Sequence, residues 1–316
     1  MPGIEISVVV PMRNEANNLA ELLARLDRVL AGVPGRHEIV CVNDGSTDGT
    51  LDALLAARAA DPRIVVVDLS RNFGKELAVT AGLDQARGRA VVPIDADLQD
   101  PPELITQLVA RWREGYEVVY ARRRTRSGES WLKLVTARMF YSVINRFAEV
   151  PIPANCGDYR LLDRRVVDVV RAMPERVRFN KGLFAWVGFR QTVVEFDRDP
   201  RRDGRTTWNY LSLWRLAIDG ITSFSAFPLK VWTYVGVVIA LFAFVYGSVL
   251  TLRTLFMGID VPGYASLIVA ILFLGGCNLI GIGVLGEYIG RIFDEVKQRP
   301  AYILREVHGP DPDAGP

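Results

Sequence analysis

Along roughly the first third of the chain, short apolar runs alternate with segments in which leucine and valine recur at helical spacing. The apolar runs predict buried strands, and the spaced repeats predict amphipathic helices. Regular alternation of strand and helix is typical of a mostly parallel sheet with helices on both faces. The predicted strands are 6–10, 39–42, 64–69, 90–94 and 118–120, and the predicted helices are 19–30, 51–55, 75–86 and 103–112.

The pattern changes after residue 121, where the alternation stops and basic residues become frequent. The segments predicted here are a basic loop at 122–128, an amphipathic helix at 131–147, a turn-rich segment at 155–162, a helix at 163–173, an edge strand at 192–196 and a charged stretch at 197–203.

Two later runs, 231–252 and 261–286, contain no charged residue. Each exceeds the roughly 20 residues that a helix needs to cross a bilayer. Two buried helices of a soluble core are the alternative, but uncharged runs this long are uncommon there. The residues between the runs are few, and lysine and arginine concentrate on the outer flanks, so the positive-inside rule places both termini in the cytoplasm. The flanking cations are Arg215, Lys230, Arg291, Lys297, Arg299 and Arg305.

The segment 212–227 has apolar residues at helical spacing just before the first run. It is interpreted either as a helix lying on the membrane surface or as an ordinary amphipathic helix packed on the preceding domain. The predicted organisation is an α/β domain at 1–211, a juxtamembrane helix at 212–229, transmembrane helices at 230–253 and 261–286, and a cytoplasmic C-terminal helix and tail at 287–316.

The net charge, the histidine and cysteine content and the missing motifs argue against several classes of function. The net charge of the 316 residues is only +2, which gives no reason to expect a nucleic-acid partner. The two histidines and three cysteines are scattered, so zinc sites, disulfides and a histidine-based triad are not supported. No Gly-rich dinucleotide or Walker motif follows a predicted strand, which argues against a nicotinamide oxidoreductase and a P-loop NTPase.

Two carboxylates, Asp95 and Asp97, directly follow the predicted strand 90–94. Open α/β sheets bind ligands at the carboxyl ends of their strands. Oxygen ligands on a short loop, with room for substrate phosphates, suit Mg²⁺ or Mn²⁺. The alternative is a polar turn in which Asp100 caps the next helix and the following prolines form its first turn.

Polar side chains also follow the first two predicted strands: Arg13 and Glu15 after the first, and Asp44 after the second. Loops at the carboxyl ends of neighbouring parallel strands converge on one crevice. Carboxylates there suit ribose hydroxyls and the N–H of a base, so the loops together predict a nucleotide-diphosphate site. The segment 44–50 also has the composition of a turn with a helix cap, and Asp48 could cap while Asp44 binds.

The segments Val-Pro-Met-Arg-Asn-Glu at 10–15, Val-Asn-Asp-Gly-Ser-Thr-Asp-Gly-Thr at 42–50 and Asp-Ala-Asp-Leu-Gln-Asp-Pro-Pro-Glu at 95–103 resemble inverting glycosyltransferases with the GT-A fold. The chain is more narrowly similar to polyisoprenyl-phosphate glycosyltransferases of the dolichol-phosphate mannose synthase group. Within that group it most resembles bacterial bactoprenol (undecaprenyl-phosphate) glucosyltransferases, also at 286–300. The resemblance implies a Rossmann-like, mostly parallel α/β domain followed by a two-helix transmembrane hairpin.

The resemblance also implies roles for individual residues. Asp95, Asp97 and Gln99 would hold Mg²⁺ or Mn²⁺ on the donor diphosphate, with Asp97 counted among the catalytic residues. The segment 157–161 would supply the active-site aspartate Asp158, although its Gly-Asp pair also suits a structural turn. The remaining implied site residues are Pro11, Arg13, Glu15, Asp44, Arg202 and Arg205 for the nucleotide sugar, and Arg122, Lys133 and Arg138 for the acceptor phosphate. At 201–208 the chain resembles the family's phosphate-closing loop, with Thr207 where a lysine is usual.

The implied activity is single-displacement transfer of a hexose, glucose from UDP-glucose in the first instance, to a polyprenyl phosphate at the cytoplasmic face of the bacterial inner membrane. The product would serve modification of cell-envelope glycans. GDP-mannose, UDP-N-acetylglucosamine and UDP-galactose remain open as donors. A processive polysaccharide synthase and a non-catalytic nucleotide-sugar-binding module are the competing classes. A hairpin of two helices would gain packing by association, so a homo-oligomer is expected.

Overall fold

The computed structural model describes residues 3–124, 156–173, 175, 178, 180–196, 227–257 and 263–309. The strands are β1 (Ile4–Met12), β2 (Arg36–Asn43), β3 (Ile64–Leu69), β4 (Ala90–Pro93), β5 (Val118–Arg123), β6 (Cys156–Asp163), β7 (Gln191–Phe196) and β8 (Leu304–His308). The helices are α1 (Ala16–Leu30), α2 (Thr50–Ala60), α3 (Lys75–Gln85), α4 (Ile105–Arg113), α5 (Arg164–Ala172), α6 (Asn180–Trp186), α7 (Phe227–Met257) and α8 (Tyr264–Val296), with a 3-10 turn at Pro102–Leu104 before α4.

All eight strands form one mixed sheet in the order β7-β5-β6-β4-β1-β2-β3-β8. The four pairings β1–β2, β1–β4, β2–β3 and β5–β7 are parallel. The predicted alternation, the five predicted strands and the edge position of 192–196 are therefore confirmed. Parallel strands joined through helices place the carboxyl ends of β1, β2 and β4 at the same edge of the sheet.

Helices cover both faces of the sheet, as predicted. One buried cluster joins the sheet to α1, α2 and α4, and a second joins it to α3, α5 and α6. Gly82 allows α3 to lie close to the sheet, because a Cβ at this position would come within 2.2 Å of a methyl carbon of Val9. This close approach sets the position of the first residue of α3, Lys75.

The prediction of a turn-rich segment at 155–162 was wrong. Residues 156–163 form β6, which inserts antiparallel between β4 and β5. Glycine and charged residues obscured the strand pattern, yet Tyr159, Leu161 and Leu162 are buried in the two clusters. Because β6 is antiparallel, its first residues lie at the carboxyl edge of β4.

A strand also forms near the end of the chain, where the sequence predicted a helix and tail. β8 pairs antiparallel with β3, and the Ser70 N–H donates to the Ile303 carbonyl at 2.9 Å. The Arg305 guanidinium lies 3.2 Å from the buried carboxylate of Asp68. The chain that leaves α8 is thereby joined to the same sheet that positions the candidate site.

The first uncharged run lies within the long helix α7, and residues 264–286 of the second run lie within α8. Among the described residues, the 24-residue segment Phe273–Val296 of α8 is long and apolar enough to cross a membrane. The apolar segment Tyr234–Val249 of α7 is shorter. Large apolar side chains of both helices are exposed, including Phe242 and Phe256. Most of the predicted juxtamembrane helix at 212–229 lies outside the described residues.

Candidate functional site

The loops that follow β1 and β2 are joined to each other by hydrogen bonds. Asn14 has a positive φ of 57°, and its N–H donates to the Ser46 hydroxyl at 3.0 Å while its side-chain oxygen accepts from the Thr47 N–H at 2.8 Å. The Glu15 N–H donates to the Thr50 hydroxyl at 3.0 Å. These bonds make the two loops one connected rim at the carboxyl edge of the sheet.

Three predicted nucleotide-site residues lie at the end of β1 and in the loop that follows it. Pro11 is half-buried near the end of β1, and Arg13 is exposed at the rim. The Glu15 carboxylate accepts a hydrogen bond from the Asn18 side chain at 2.7 Å, which orients it at the start of α1. Their predicted contacts with a nucleotide remain predictions.

Asp44, at the end of β2, is only 3% exposed. Its carboxylate accepts from the N–H groups of Phe73 and Gly74 at 2.7 and 3.0 Å and from the side-chain amide of Asn72 at 3.0 Å. Hydrogen bonds to an ionised group are stronger than those between neutral groups. Asp44 therefore holds the loop that leads from β3 into α3.

Gly45 makes this close approach possible. It has a positive φ of 60°, and a Cβ on it would lie 2.4 Å from the backbone nitrogen of Asn72. A side chain at this position would therefore push the loop at 72–74 away from Asp44.

The loop after β4 has an unusual backbone at Leu98, a buried residue with φ of 58°. A non-glycine residue is held in this region only when its surroundings determine it, and such residues cluster at functional sites. The Gln99 N–H donates to the Asp97 carboxylate at 3.2 Å, which closes the turn. The next residue, Asp100, does not cap the following helix, because Pro101 occupies the cap position.

The structure brings Asp95 and Asp158 together through Lys75, the first residue of α3. The Lys75 ammonium lies 2.6 Å from one oxygen of Asp95, 2.7 Å from the other, and 2.7 Å from an oxygen of Asp158. Burial lowers the pKa of Lys75, but the two carboxylates outweigh this effect and raise the pKa above its ordinary value. The lysine is thus charged at any physiological pH.

Sequence reasoning missed Lys75. The sequence feature that could have identified it is a lysine directly after Gly74, at the start of the helix that follows β3. The carboxyl end of that strand meets the same edge as the other site loops, so the rule that selected Arg13 and Asp44 also applied here.

Asp158, the third residue of β6, is positioned by Arg160 on the same strand. The Arg160 side chain is 1% exposed and donates to the carbonyls of Gly157 and Asp158 at 2.7 and 3.3 Å. Its guanidinium lies over the rings of Tyr120 and Phe184, 4.9 and 4.7 Å from their centroids. Cation–π contacts of a desolvated guanidinium are favourable, so the backbone carrying Asp158 is firmly held.

Arg122, predicted to meet the acceptor phosphate, lies at the end of β5. Strand alternation places it on the same sheet face as Tyr120 and therefore on the face that carries Arg160. Its guanidinium forms an ion pair with Glu195 on β7, and this contact lowers the pKa of Glu195. The other predicted site residues, Lys133, Arg138, Arg202 and Arg205, and also Thr207, lie outside the described residues.

The residues of the Asp95 loop fit a divalent cation by their chemistry. Asp95, Asp97 and Gln99 offer only oxygen ligands, which Mg²⁺ and Mn²⁺ prefer. Within the described part of the chain, no group of three or more His, Cys, Asp or Glu side chains could enclose an ion. Magnesium commonly binds through one or two carboxylates together with substrate phosphates, which is the arrangement that this loop allows.

Sequence comparison identifies the class of protein that this sheet and site define. The family described as "Glycosyl transferase family 2" matches residues 7–171, and the chain belongs to it. The protein is therefore a glycosyltransferase, with the GT-A type of α/β sheet that the sequence predicted. A second family, described as "GtrB C-terminal hairpin", matches residues 227–292, which include α7 and most of α8.

Individual relatives match over nearly their whole length. The chain is 59% identical over 306 residues to "Uncharacterized glycosyltransferase sll0501" of Synechocystis, covering 97% of this chain and 96% of the relative. It is 47% identical over 309 residues to "SfII prophage-derived bactoprenol glucosyl transferase" of Shigella flexneri, covering 98% and 100%. Among solved structures, mannosyl-3-phosphoglycerate synthase from Rubrobacter xylanophilus aligns with a TM-score of 0.49 at 20% identity, covering 68% of this chain and 71% of that one.

Proposed function

We propose that this protein transfers glucose from UDP-glucose to undecaprenyl phosphate at the cytoplasmic face of the bacterial plasma membrane, with inversion at the anomeric carbon. The observation that carries the proposal is the joining, in one chain, of a carboxylate-lined glycosyltransferase site to an apolar two-helix hairpin. Relatives named bactoprenol glucosyl transferase, 47% identical over nearly the full length, support the lipid acceptor and the sugar.

In this proposal the donor diphosphate lies over the loop after β4. Asp95, Asp97 and Gln99 would hold Mg²⁺ or Mn²⁺, which when bound would stabilise the negative charge on the departing diphosphate. The rim formed by Pro11, Arg13 and Glu15 would line the nucleotide pocket. Asp44 would support that pocket through the loop at 72–74, whether or not it also contacts the base.

The acceptor needs little help to become a nucleophile. The second pKa of a phosphate monoester is about 6, so an undecaprenyl phosphate is mostly ionised at pH 7. Asp158 is therefore assigned to orienting the acceptor or the sugar more than to removing a proton. Arg122 would receive the acceptor phosphate in place of Glu195, and Lys133 and Arg138 would add positive charge. Arg202 and Arg205 would contact the donor phosphates.

The hairpin would keep the enzyme beside its lipid substrate. The excess of basic residues on its outer flanks supports a multi-pass topology with the catalytic domain and both termini in the cytoplasm. The exposed apolar side chains of α7 and α8 support association of several copies, because packing between helices stabilises hairpins in lipid.

The proposal is tested with the full-length protein in detergent, radiolabelled UDP-glucose, undecaprenyl phosphate and Mg²⁺. We expect a labelled lipid that partitions into organic solvent, and we expect chelation of the metal to abolish it. Asp97→Asn and Asp158→Asn should each reduce turnover by about 10²-fold or more, the usual size of an electrostatic or orienting contribution. Asp52→Asn, an exposed carboxylate on α2, is the matched control and should leave turnover unchanged.

The same assay decides between the remaining donors. A labelled lipid formed only from GDP-mannose, UDP-N-acetylglucosamine or UDP-galactose would reassign the sugar. Absence of product with all four donors would contradict the proposed transfer and favour a nucleotide-sugar-binding module. A polymeric product would favour a processive synthase.

A further inference from the structure

The Lys75 ammonium lies against the Asp95 carboxylate in a position that a bound cation could also take. Its ammonium lies within 2.7 Å of both oxygens of Asp95 and at the same distance from Asp158. An ammonium group has three N–H donors, and three carboxylate oxygens are placed to accept them. Asp95 therefore has a cation against both of its oxygens before any metal ion is considered.

The lysine is held by rigid parts of the fold. Gly74, directly before it, has its N–H fixed by the Asp44 carboxylate, and the close packing at Gly82 fixes α3 against β1. The two carboxylates approach it from separate elements, the loop after β4 and strand β6. Without a cation between them, these two negative charges would repel each other.

We propose that Lys75 is the resident cation of Asp95 and Asp158 in the donor-free protein, and that the metal–donor complex displaces it from Asp95 while it stays on Asp158. This inference rests on the proposed function, in which Asp95 binds the metal. An ion that approaches Asp95 with the lysine in place meets a positive charge at close range, so metal binding without donor is weak. After displacement, Lys75 acts as a positioning residue for Asp158.

The proposal makes a prediction that a purely structural ion pair does not. Removing a structural pair lowers stability and leaves metal affinity unchanged or weaker. Removing a competing cation makes the metal bind more tightly, because Asp95 is then an unneutralised ligand. The sign of the change in metal affinity therefore separates the two roles.

The experiment measures Mn²⁺ binding to the full-length protein in detergent, without donor or acceptor, from the electron paramagnetic resonance signal of free Mn²⁺. Lys75→Met should bind Mn²⁺ at least about tenfold more tightly than the unaltered protein, since one nearby unit charge opposes a divalent ion by more than this even in a water-like medium. Lys75→Arg retains the charge and should stay close to the unaltered protein. Arg111→Met removes a cation of α4 from its exposed pair with Glu114 and should have no effect.

Equal or weaker Mn²⁺ binding by Lys75→Met would overturn the proposal, as would the absence of binding to both proteins. Thermal unfolding establishes that the variant is folded, and Lys75→Gln replaces it if the methionine is not tolerated. Turnover at saturating metal should fall in Lys75→Met and recover in part in Lys75→Arg, because Asp158 needs its partner. The binding measurement uses no donor, so the difference in Mn²⁺ affinity can be interpreted even if the transfer assay fails.

Discussion

At the scale of single residues, the burial of Asp44 gives its carboxylate a structural role that the motif alone did not indicate. A carboxylate at the end of β2 was expected to contact the nucleotide, yet both of its oxygens accept hydrogen bonds from the loop at 72–74. That loop carries Lys75 at its end. Asp44 therefore influences the position of Lys75 through the backbone, independently of any contact with a base.

Asp44→Asn is expected to loosen this loop. The amide would keep one acceptor oxygen and turn an NH₂ group toward backbone N–H donors, which should cost about 1–3 kcal/mol of unfolding free energy. We expect lower stability in chemical denaturation and faster hydrogen exchange in the peptide that spans 70–75, both without donor.

Asp52→Asn removes an exposed charge from the same part of the chain and is the control for this measurement. If Asp44→Asn weakened UDP binding while exchange at 70–75 and stability stayed unchanged, Asp44 would act on the nucleotide alone, and its structural role would be refuted.

At the scale of elements, β8 connects the end of the hairpin with the site loops through polar contacts. Arg305 contacts Asp68, whose other oxygen accepts from the Asn43 side chain at 2.7 Å. The Asn43 oxygen accepts from the Ser46 N–H at 3.2 Å, in the loop joined to that of β1. A second bond from Arg305 reaches the carbonyl of Ser70, where the loop toward Lys75 begins.

Arg305→Met should therefore affect residues far from it in sequence. The buried Asp68 carboxylate would lose its charged partner, and because Arg305 is more than half exposed the loss of stability should be modest, about 1 kcal/mol. Hydrogen exchange in the full-length protein should become faster in the peptide that spans 64–75.

Glu306→Gln alters the neighbouring residue of β8, whose carboxylate contacts only His308 among the described ion pairs, and serves as the control. Unchanged exchange at 64–75 in Arg305→Met would mean that β8 covers the sheet edge without supporting the loops.

At the scale of the whole molecule, the catalytic sheet and the hairpin follow different rules of burial. The sheet buries its apolar residues between two layers of helices, whereas α7 and α8 expose theirs. Charged residues mark the predicted end of the second transmembrane helix. The charged residues that follow the uncharged run within α8 are Glu287, Arg291, Asp294 and Glu295. We therefore predict that the bilayer surrounds residues 261–286, although the apolar segment Phe273–Val296 extends further along the helix.

A pair of arginine substitutions tests this placement. Phe273 and Ile289 lie on the same helix and are similarly exposed, but only Phe273 lies near the middle of the uncharged run. Phe273→Arg should cost about 3 kcal/mol of insertion and lower the fraction of protein that resists alkaline carbonate extraction. Ile289→Arg should remain close to the unaltered protein, and the opposite ranking would shift the span toward the C-terminus.

Much of the fold was predictable because its strands are buried on both faces, so they appear as continuous apolar runs. The sequence did not predict strands β6 and β8, and each omission has a physical cause. β6 contains Gly157, Asp158 and Arg160, which interrupt the apolar pattern of a strand. In the fold, Arg160 donates to the Gly157 carbonyl and lies over two aromatic rings, and Asp158 pairs with Lys75. β8 is short and polar, and an edge strand of that kind leaves almost no periodic signal.

The sequence by itself determined the class of fold, the family, the apolar hairpin and the carboxylates at the strand ends, since all of these depend on local patterns and contiguous motifs. Tertiary structure alone decided which of those carboxylates meet. Asp95 and Asp158 are 63 positions apart in number and come together because β6 returns antiparallel beside β4. Lys75 joins them only because α3 packs closely on the sheet, and the charge balance of the site depends on that packing and not on any single motif.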